Sequence, residues 1–473
     1  MSKSKRNPNA ILAIILASTM MVVMDVSIVT TSLPVIHKQF GFSPVGLSWV
    51  VNVYSLVFGG LLLLSSRAGD LFGRRRMFMV GLSIFTFASL AIGLAQSAEM
   101  LIIFRAIQGL GASILSPATL ALLTENFKEG HERTRVLALY GTIVGIATSV
   151  GLVLGGIVTS LISWRVAFFL NVPIGLITLW ATPRFIAKTQ SYKGKLDVIG
   201  AILSVFGMSS LVYGIVHAAD TSWSNSVTVM MLAVGVVLLA VFVVNEWRAR
   251  QPIMPLRLFQ HRGRAASYAA RTLYLGVMIS FWFFITQYLQ VVKGFSPILT
   301  GVAFLPMTLA NFFAALYIPR LTRRIGNPLI ITLGVGVTVV GMFWISQITP
   351  SSSYLLMFAL PLILLGIGQG LSQGPLTAEG LAGVYDRDAG AASGITYVAS
   401  QLGAAFGLAI LVAIFAAAST STLSGNALLT HQISAALFGA GIILVASLFI
   451  VVVWIVFRRE RLNNTEIDEE YTK

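Results

Sequence analysis

The 473-residue sequence contains no cysteine. Disulfides, thiolate nucleophiles and thiolate metal or iron–sulfur sites are thereby excluded. Charge is scarce as well: Asp, Glu, Lys and Arg together make up 10% of the chain, against about 25% in an ordinary soluble protein. Acids are scarcest, 17 against 32 Lys and Arg. Long polar stretches are missing; the longest between apolar windows, 246–265, is too short for a soluble domain. The five histidines (His37, His131, His217, His261 and His431) fall at or near loops, and no two stand four apart as a helical metal pair would. No Gly-x-Ser-x-Gly turn occurs. Gly109-Leu-Gly111 and Gly366-Ile-Gly368-Gln-Gly370 are not nucleotide loops, because no strand precedes them and no Gly-Lys-Ser/Thr follows. The expectation is no cofactor, no metal and no catalytic group.

What the chain does have is apolar length. Hydrophobic residues make up 56%, with 43 glycines, and the mean hydropathy is +0.86. Windows long enough to span a bilayer fall near 10–33, 47–66, 77–96, 100–124, 136–160, 165–186, 197–217, 226–245, 266–289, 297–318, 328–347, 354–378, 388–418 and 432–457. These fourteen exclude a soluble or disordered chain and predict an all-α polytopic membrane protein. The basic N-terminus (Lys3, Lys5, Arg6) before an apolar run mimics a signal peptide. Asp25 follows, and no cleavage site does, so the first window reads as an uncleaved span.

Counting Lys and Arg between windows orients the spans. The N-terminus, the even-numbered gaps and the C-terminal tail hold 27 of the 32 basic residues. Both termini are therefore expected on the cytoplasmic side of the cell membrane. The net charge of +15 is topological, with anionic lipid headgroups as its expected contacts; nucleic acid is not an expected partner.

A faint repeat runs through this pattern. Gly69-Asp70-Leu-Phe-Gly73-Arg74-Arg75-Arg76 follows window two, and Arg320-Leu-Thr-Arg323-Arg324-Ile-Gly326 follows window ten. Six windows precede 197 and six follow 265, as in transporter folds built from two related halves. The expected domains are a six-helix bundle at 1–196, an inserted helix pair at 197–250, a second bundle at 251–457 and a cytoplasmic tail at 458–473.

An ionisable group in hydrocarbon costs about 2.5–3.5 kcal/mol on insertion scales and marks a site by default. Asp25 in the first window is the candidate to take and release a proton; the bland reading makes it a cap at a helix break, satisfied by Ser27 or Thr30. Arg105 in the fourth can hold a carboxylate or water in its guanidinium fork, or tie two helices as an ion pair. A pair that forms and breaks would join both readings. Arg271 and Glu379 lie within snorkelling reach of water. Gly141, Gly145, Gly151, Gly155 and Gly156, mostly four apart, form a stripe that lets helices approach closely. Polar and aromatic handles for an apolar substrate cavity are Asn52, Tyr54, Gln108, Trp282, Gln287, Tyr288, Gln290 and Asn311, with Glu379 retained beside them and Trp49 read as an interface residue.

Taken in order, these residues resemble the major facilitator superfamily, and within it the fourteen-span drug:proton antiporters. Met24-Asp25-Val-Ser27-Ile-Val-Thr30-Thr-Ser-Leu33-Pro34 resembles that group's first-helix motif. Gly69-Asp70-Leu-Phe-Gly73-Arg74-Arg75 resembles the loop between helices two and three, with Ser66 at its leading glycine and Leu71 at its usual Arg. Arg105-Ala-Ile-Gln108-Gly109-Leu-Gly111-Ala112 matches the fourth-helix motif. Trp164-Arg165-Val-Ala-Phe168-Phe-Leu-Asn171-Val-Pro173-Ile-Gly175 is similar to the start of helix six. Tyr288-Leu-Gln290, Gly294-Phe-Ser-Pro297 and Gly390-Ala-Ala-Ser393-Gly394 also fit. Gly151-Leu152-Val-Leu-Gly155-Gly156 departs from the fifth-helix antiporter motif, with Leu152 where Pro is usual.

The resemblance implies two six-helix bundles with an inserted pair, and proton-coupled export of hydrophobic, often cationic drugs or antiseptics by alternating access. It implies that Asp25 carries the proton, that Arg105 couples it to the rocking of the halves, and that Asp70, Gly73 and Arg74 form a cytoplasmic gate. Monovalent lipophilic cations or neutral amphiphiles fit better than divalent cations, since no acid lies deep in windows nine, ten or thirteen. The expected partners are small lipophilic substrates, protons and membrane lipids, with the chain a monomer. The alternatives are a carrier of one metabolite, lipid or peptide, and a non-transporting sensor or scaffold.

Overall fold

The computed structural model describes residues 7–43, 45–127, 131–189, 196–249, 252–384 and 389–456, and among them there is helix but no strand. The reason is the solvent: with no water in hydrocarbon to bond them, backbone amides and carbonyls must be satisfied within their own segment. Fifteen α-helices result: α1 (Pro8–Phe40), α2 (Trp49–Phe72), α3 (Arg74–Gly93), α4 (Ala98–Asn126), α5 (His131–Leu161), α6 (Trp164–Phe169), α7 (Asn171–Phe185), α8 (Val198–Asp220), α9 (Ser226–Arg248), α10 (Arg262–Gln287), α11 (Pro297–Ala303), α12 (Leu305–Ile345), α13 (Leu360–Leu381), α14 (Ala389–Ala417) and α15 (Gly425–Val451). Polar side chains start several of them by capping free amides: Asn7 for α1, Ser97 for α4, Asp197 for α8 and Asn225 for α9.

Among the described residues, thirteen segments are long and apolar enough to cross a membrane. One of them, Trp164–Phe185, is α6 and α7 in series. The long α12 supplies parts of two, Pro297–Ile318 and Arg320–Ile345. With the 31-residue α5, whose stretch Val150–Leu161 is apolar, they account for the fourteen windows. The chain is a multi-pass membrane protein. Asp25 sits mid-helix in an α1 that runs unbroken from Pro8 to Phe40, which excludes the helix-break reading. Ser27 and Thr30 bond the carbonyls of Val23 and Val26 on their own helix.

The helices sort into two compact units, Met1–Met254 with Trp282–Ala303, and Pro255–Phe281 with Phe304–Lys473. In the first, glycines bring backbones together: a Cβ on Gly81 would lie 2.7 Å from Leu115 N, and one on Gly109 2.6 Å from Tyr54 O, so α4 is pressed against both α3 and α2. The hairpin of α8 and α9 belongs to this unit and attaches through α8. Ser204 Oγ donates to Gly60 O on α2 at 3.3 Å, whereas the apolar window of α9 is only 17% buried and so faces lipid. In the second unit, α10 meets α14 where Gly276 opposes Gly403 and Gly407. There Tyr274 and Thr338 share a 3.0 Å hydroxyl contact between α10 and α12.

The faint repeat has a backbone basis. Gly73, between α2 and α3, has φ 93° and ψ 126°, and Gly326, at a kink within α12, has φ 76° and ψ 161°. Both values lie where side chains are rarely tolerated, and both glycines turn the chain after the second helix of their half. Gly326→Ala is expected to destabilise the protein by about 1–3 kcal/mol. Gly336→Ala, at a helical position with nothing within 4 Å of the added carbon, is expected to stabilise it by up to about 1 kcal/mol. Melting midpoints of the two variants beside the wild type check this opposite sign.

Candidate functional site

The first unit buries a complete polar network. Asp25 on α1 is 2% exposed and Arg105 on α4 is 1% exposed. Arg105 Nη1 donates to Asp25 Oδ2 at 2.8 Å, and Gln108 Nε2 and Asn171 Nδ2 donate to Asp25 Oδ1 at 2.8 and 2.9 Å. Both carboxylate oxygens are thus occupied. Gln108 Oε1 accepts from Arg105 Nη1 at 2.7 Å, and Arg105 Nε donates to Val50 O on α2 at 3.0 Å. Ser89 Oγ on α3 accepts from Gln108 at 2.9 Å and Asn171 at 3.3 Å. The guanidinium carbon lies 4.3 Å from the centre of the Tyr54 ring, a cation–π contact strengthened by the burial of both groups.

Local sequence explains the placement. Arg105 and Gln108 are three apart and share one face of α4. Gly109, the next residue, lets α2 approach until Tyr54 lies under the guanidinium. Gly175, one turn along α7 from Asn171, meets Thr86 on α3, where a side chain would collide; that close approach delivers Asn171 to Ser89. Asn171 and Ser89 carry no mark in the sequence as site residues, and Gln108, a handle for substrate in the sequence reading, also ligates Asp25 here. The one available signal for Asn171 was its place in the Trp164-to-Gly175 run.

The helix-five glycines serve as contact points beside this network. A Cβ on Gly151 would lie 2.8 Å from Ser27 Cβ and 3.1 Å from Met24 Cα, and one on Gly155 2.8 Å from Ile28 Cα, so α5 packs on α1 at the turn carrying Asp25. Gly156 faces Pro297 and Ile298 at the start of α11, and a Cβ on Gly301 of α11 would lie 2.6 Å from Leu152 O. Gln290 Nε2, in the π-helical turn Tyr288–Val292 that extends α10, donates to Thr31 O on α1 at 2.8 Å. With Leu152 in place of proline, α5 is one helix. The side chains at 141 and 145 lie outside the described residues.

At the end of α2, Asp70 Oδ1 pairs with Arg74 Nη2 at 3.3 Å, the side chains being 37% and 31% exposed. Arg74 also lies 3.7 Å from Glu125 on α4, a partner unmarked by the motif. Arg75 N donates to Thr189 Oγ1 at 3.2 Å, tying the Gly73 turn to the segment after α7. A cavity of about 630 Å³ beside this turn is lined by Gly73, Arg75, Arg76 and Lys188 among others.

Other handles are dispersed. Asn52 is fully buried and donates to Ser48 Oγ at 3.4 Å, leaving Oδ1 without a hydrogen-bond partner. Trp282, Gln287 and Tyr288 lie on the end of α10 that groups with the first unit, while Asn311 and Glu379 belong to the second. Glu379 lies near the end of α13, close to Gly263. Arg271 in the second unit donates to Ser400 Oγ, Thr377 Oγ1 and Gln373 O; among the described residues no carboxylate pairs with it.

Arg105→Ala, which strands a buried carboxylate, is expected to cost about 3–5 kcal/mol. Asn171→Ala removes one of three donors and is expected to cost about 1–3 kcal/mol. Thr30→Ala, whose hydroxyl bonds only its own helix, is expected to melt with the wild type; thermal unfolding in detergent gives the order. Gly155→Val is expected to cost about 1–3 kcal/mol by overpacking, with Gly151→Ala costing less, by the same assay.

Residues 15–408 match the Major Facilitator Superfamily. The chain is 38% identical over 419 residues to the cephamycin export protein CmcT of Amycolatopsis lactamdurans, covering 87% of this chain and 86% of that one. It is 34% identical over 426 residues to the puromycin resistance protein of Streptomyces alboniger, covering 88% and 83%. Among solved structures, one from a study of substrate recognition in proton dependent oligopeptide transporters shares the fold, with a TM-score of 0.67 at 13% identity over 96% of this chain and 100% of that one. The extent of the family match and the likeness to these export and resistance proteins lead to one conclusion: this chain belongs to the Major Facilitator Superfamily.

Proposed function

We propose that the chain is a secondary active transporter, not an enzyme, that exchanges incoming protons for outgoing amphipathic drugs or antibiotics across the cytoplasmic membrane. The observation that carries this reading is the Asp25–Arg105 pair, buried in an apolar bundle with every oxygen of the carboxylate engaged. A structural tie between α1 and α4 does not need three donors, one of them brought in from α7. A carboxylate that must be released and recaptured in one geometry does. A proton arriving at Asp25 takes the place of Arg105, and the freed guanidinium turns to Gln108, Val50 O and the Tyr54 ring, all already within its reach.

That local exchange biases which arrangement of the helices is populated, and the proton gradient supplies the bias. In this reading the contacts of Gln290 and Gly301, at the tip of α10 and on α11, with Thr31 on α1 and with Leu152 and Gly156 on α5 are an outer gate, and Asp70, Gly73 and Arg74 are the inner one. The Asp70–Arg74 pair is half exposed and worth only about 0–1 kcal/mol, so it can open and close at little cost. The distribution of Lys and Arg supports both termini lying inside, and nothing in the reading calls for more than a monomer.

The export and resistance proteins it resembles support antibiotics as cargo. One observation favours a second reading of the cargo's charge. Asp25 is already neutralised, whereas the partners of Arg271 among the described residues are neutral, which favours neutral or anionic amphiphiles over cations. The test is flux into and out of proteoliposomes under an imposed pH gradient, with cationic, neutral and anionic amphiphiles beside wild type and Asp25→Asn. Several compounds should move against their gradients with the wild type, and uphill movement should be lost with Asp25→Asn. Uphill transport by Asp25→Asn equal to wild type would remove Asp25 from coupling, and movement of a single solute alone would point to a dedicated carrier.

A further inference from the structure

A second buried acid stands apart from the Asp25 network, at the foot of the α8–α9 hairpin. Glu246, in the last turn of α9, is 3% exposed. Its Oε2 accepts the backbone N–H of Met254 at 2.7 Å, but its Oε1 has no donor. Oε1 is aimed at another carboxylate: a Cβ placed on Gly200 would lie 2.7 Å from Glu246 Oε1 and 2.5 Å from Asp197 Oδ2. Two acids thus converge over one glycine, which leaves them the room.

The donors around them decide which acid is ionised. Asp197 caps α8, taking Gly200 N at 2.9 Å on Oδ1 and Asn245 Nδ2 at 2.8 Å on Oδ2, as an anion does. Glu246 has one acceptor oxygen satisfied and one bare. A bare buried carboxylate oxygen facing a second anion is costly twice over, in lost hydration and in like-charge repulsion. No base offsets it. α8 contributes Asp197, α9 contributes Asn245 and Glu246 itself, and the strap 252–254 contributes Pro252, Ile253 and Met254. Among the described residues, neither acid forms an ion pair.

We propose that the Asp197–Glu246 pair is a proton-binding site in which Glu246 is a neutral carboxylic acid whose Oε1–H donates to Asp197 Oδ2. With that one proton every polar atom of the pair is matched: the Glu246 hydroxyl to Asp197, its carbonyl oxygen to Met254 N–H, and Asp197 to Gly200 and Asn245. The proton comes from and returns to water with no other bond changed. It also clips the strap 252–254 to the hairpin, since loss of the proton sets two anions against each other and pushes Glu246 off Asp197. The site stands whether or not the chain exports drugs.

The test uses the purified full chain in lipid nanodiscs and infrared difference spectra taken across pH. A protonated carboxylic-acid carbonyl band is expected near neutral pH in the wild type, lost in Glu246→Gln and retained in Asp25→Asn. Glu246→Gln copies the neutral acid's shape, donor and acceptor, so it should melt with the wild type at neutral pH and above it at alkaline pH. Glu246→Ala should melt below both, with faster hydrogen exchange at the Met254 amide. A band that survives in Glu246→Gln, or in Glu246→Ala should the first variant not fold, overturns the proposal. So does a Glu246→Gln protein that melts as low as Glu246→Ala.

Discussion

An ion withdrawn from water must find its whole solvation shell in protein, and the first unit is arranged around that requirement at Asp25. The carboxylate takes one charged and two neutral donors, and these come from α4 and α7; α3 completes the ring through Ser89, and α2 through Val50 and Tyr54. Five helices must therefore approach closely enough for short side chains to meet. Glycines at 109, 111 and 175 are where that approach occurs, each against the backbone or first side-chain atoms of a neighbour, and Gly151 and Gly155 bring α5 onto α1 beside it. Packing without bulk at those points follows from solvating one acid in the middle of a bundle.

How much of this was legible depends on how unusual each residue is in hydrocarbon. A lone Asp or Arg in an apolar run is conspicuous, so Asp25 and Arg105 stood out before any geometry. Asn171 and Ser89 did not, because neutral polar residues are common in membrane helices and most bond their own backbone, as Thr30 and Ser27 do here. What brings Asn171 into the site is the neighbour it faces, and that depends on Gly175 meeting Thr86 on another helix. The glycine stripe on α5 could be read as a packing face, but its two partners, α1 on one side and α11 on the other, could not. Glu246 was hidden by its address, at the edge of the polar connector where an acid looks ordinary; only its depth and its bare oxygen distinguish it.

The topology was the most legible layer, because the bilayer imposes one length and one composition on every crossing. The departures are local. The sixth window is two helices in series, and the repeat shows up in paired backbone turns at Gly73 and Gly326 more than in matching side chains. Arg323 stands where the first half has Asp70, so the halves share a bend without sharing its electrostatics. Equivalent positions in such a repeat preserve shape first and chemistry second.

The pairing of Asp25 with Arg105 has an electrical consequence. Engaged, the two form a dipole with no net charge. A proton added to Asp25 leaves the guanidinium as a single uncompensated positive charge inside the membrane dielectric. Such a charge responds to the transmembrane voltage by about 2.3 kcal/mol per 100 mV if it crosses the whole field. Wherever the five-helix ring moves relative to the bilayer, its protonated form is drawn toward the negative side and its paired form is indifferent. In the proposed exchange, a neutral ion pair at rest would thus become a voltage-sensing element by gaining a proton.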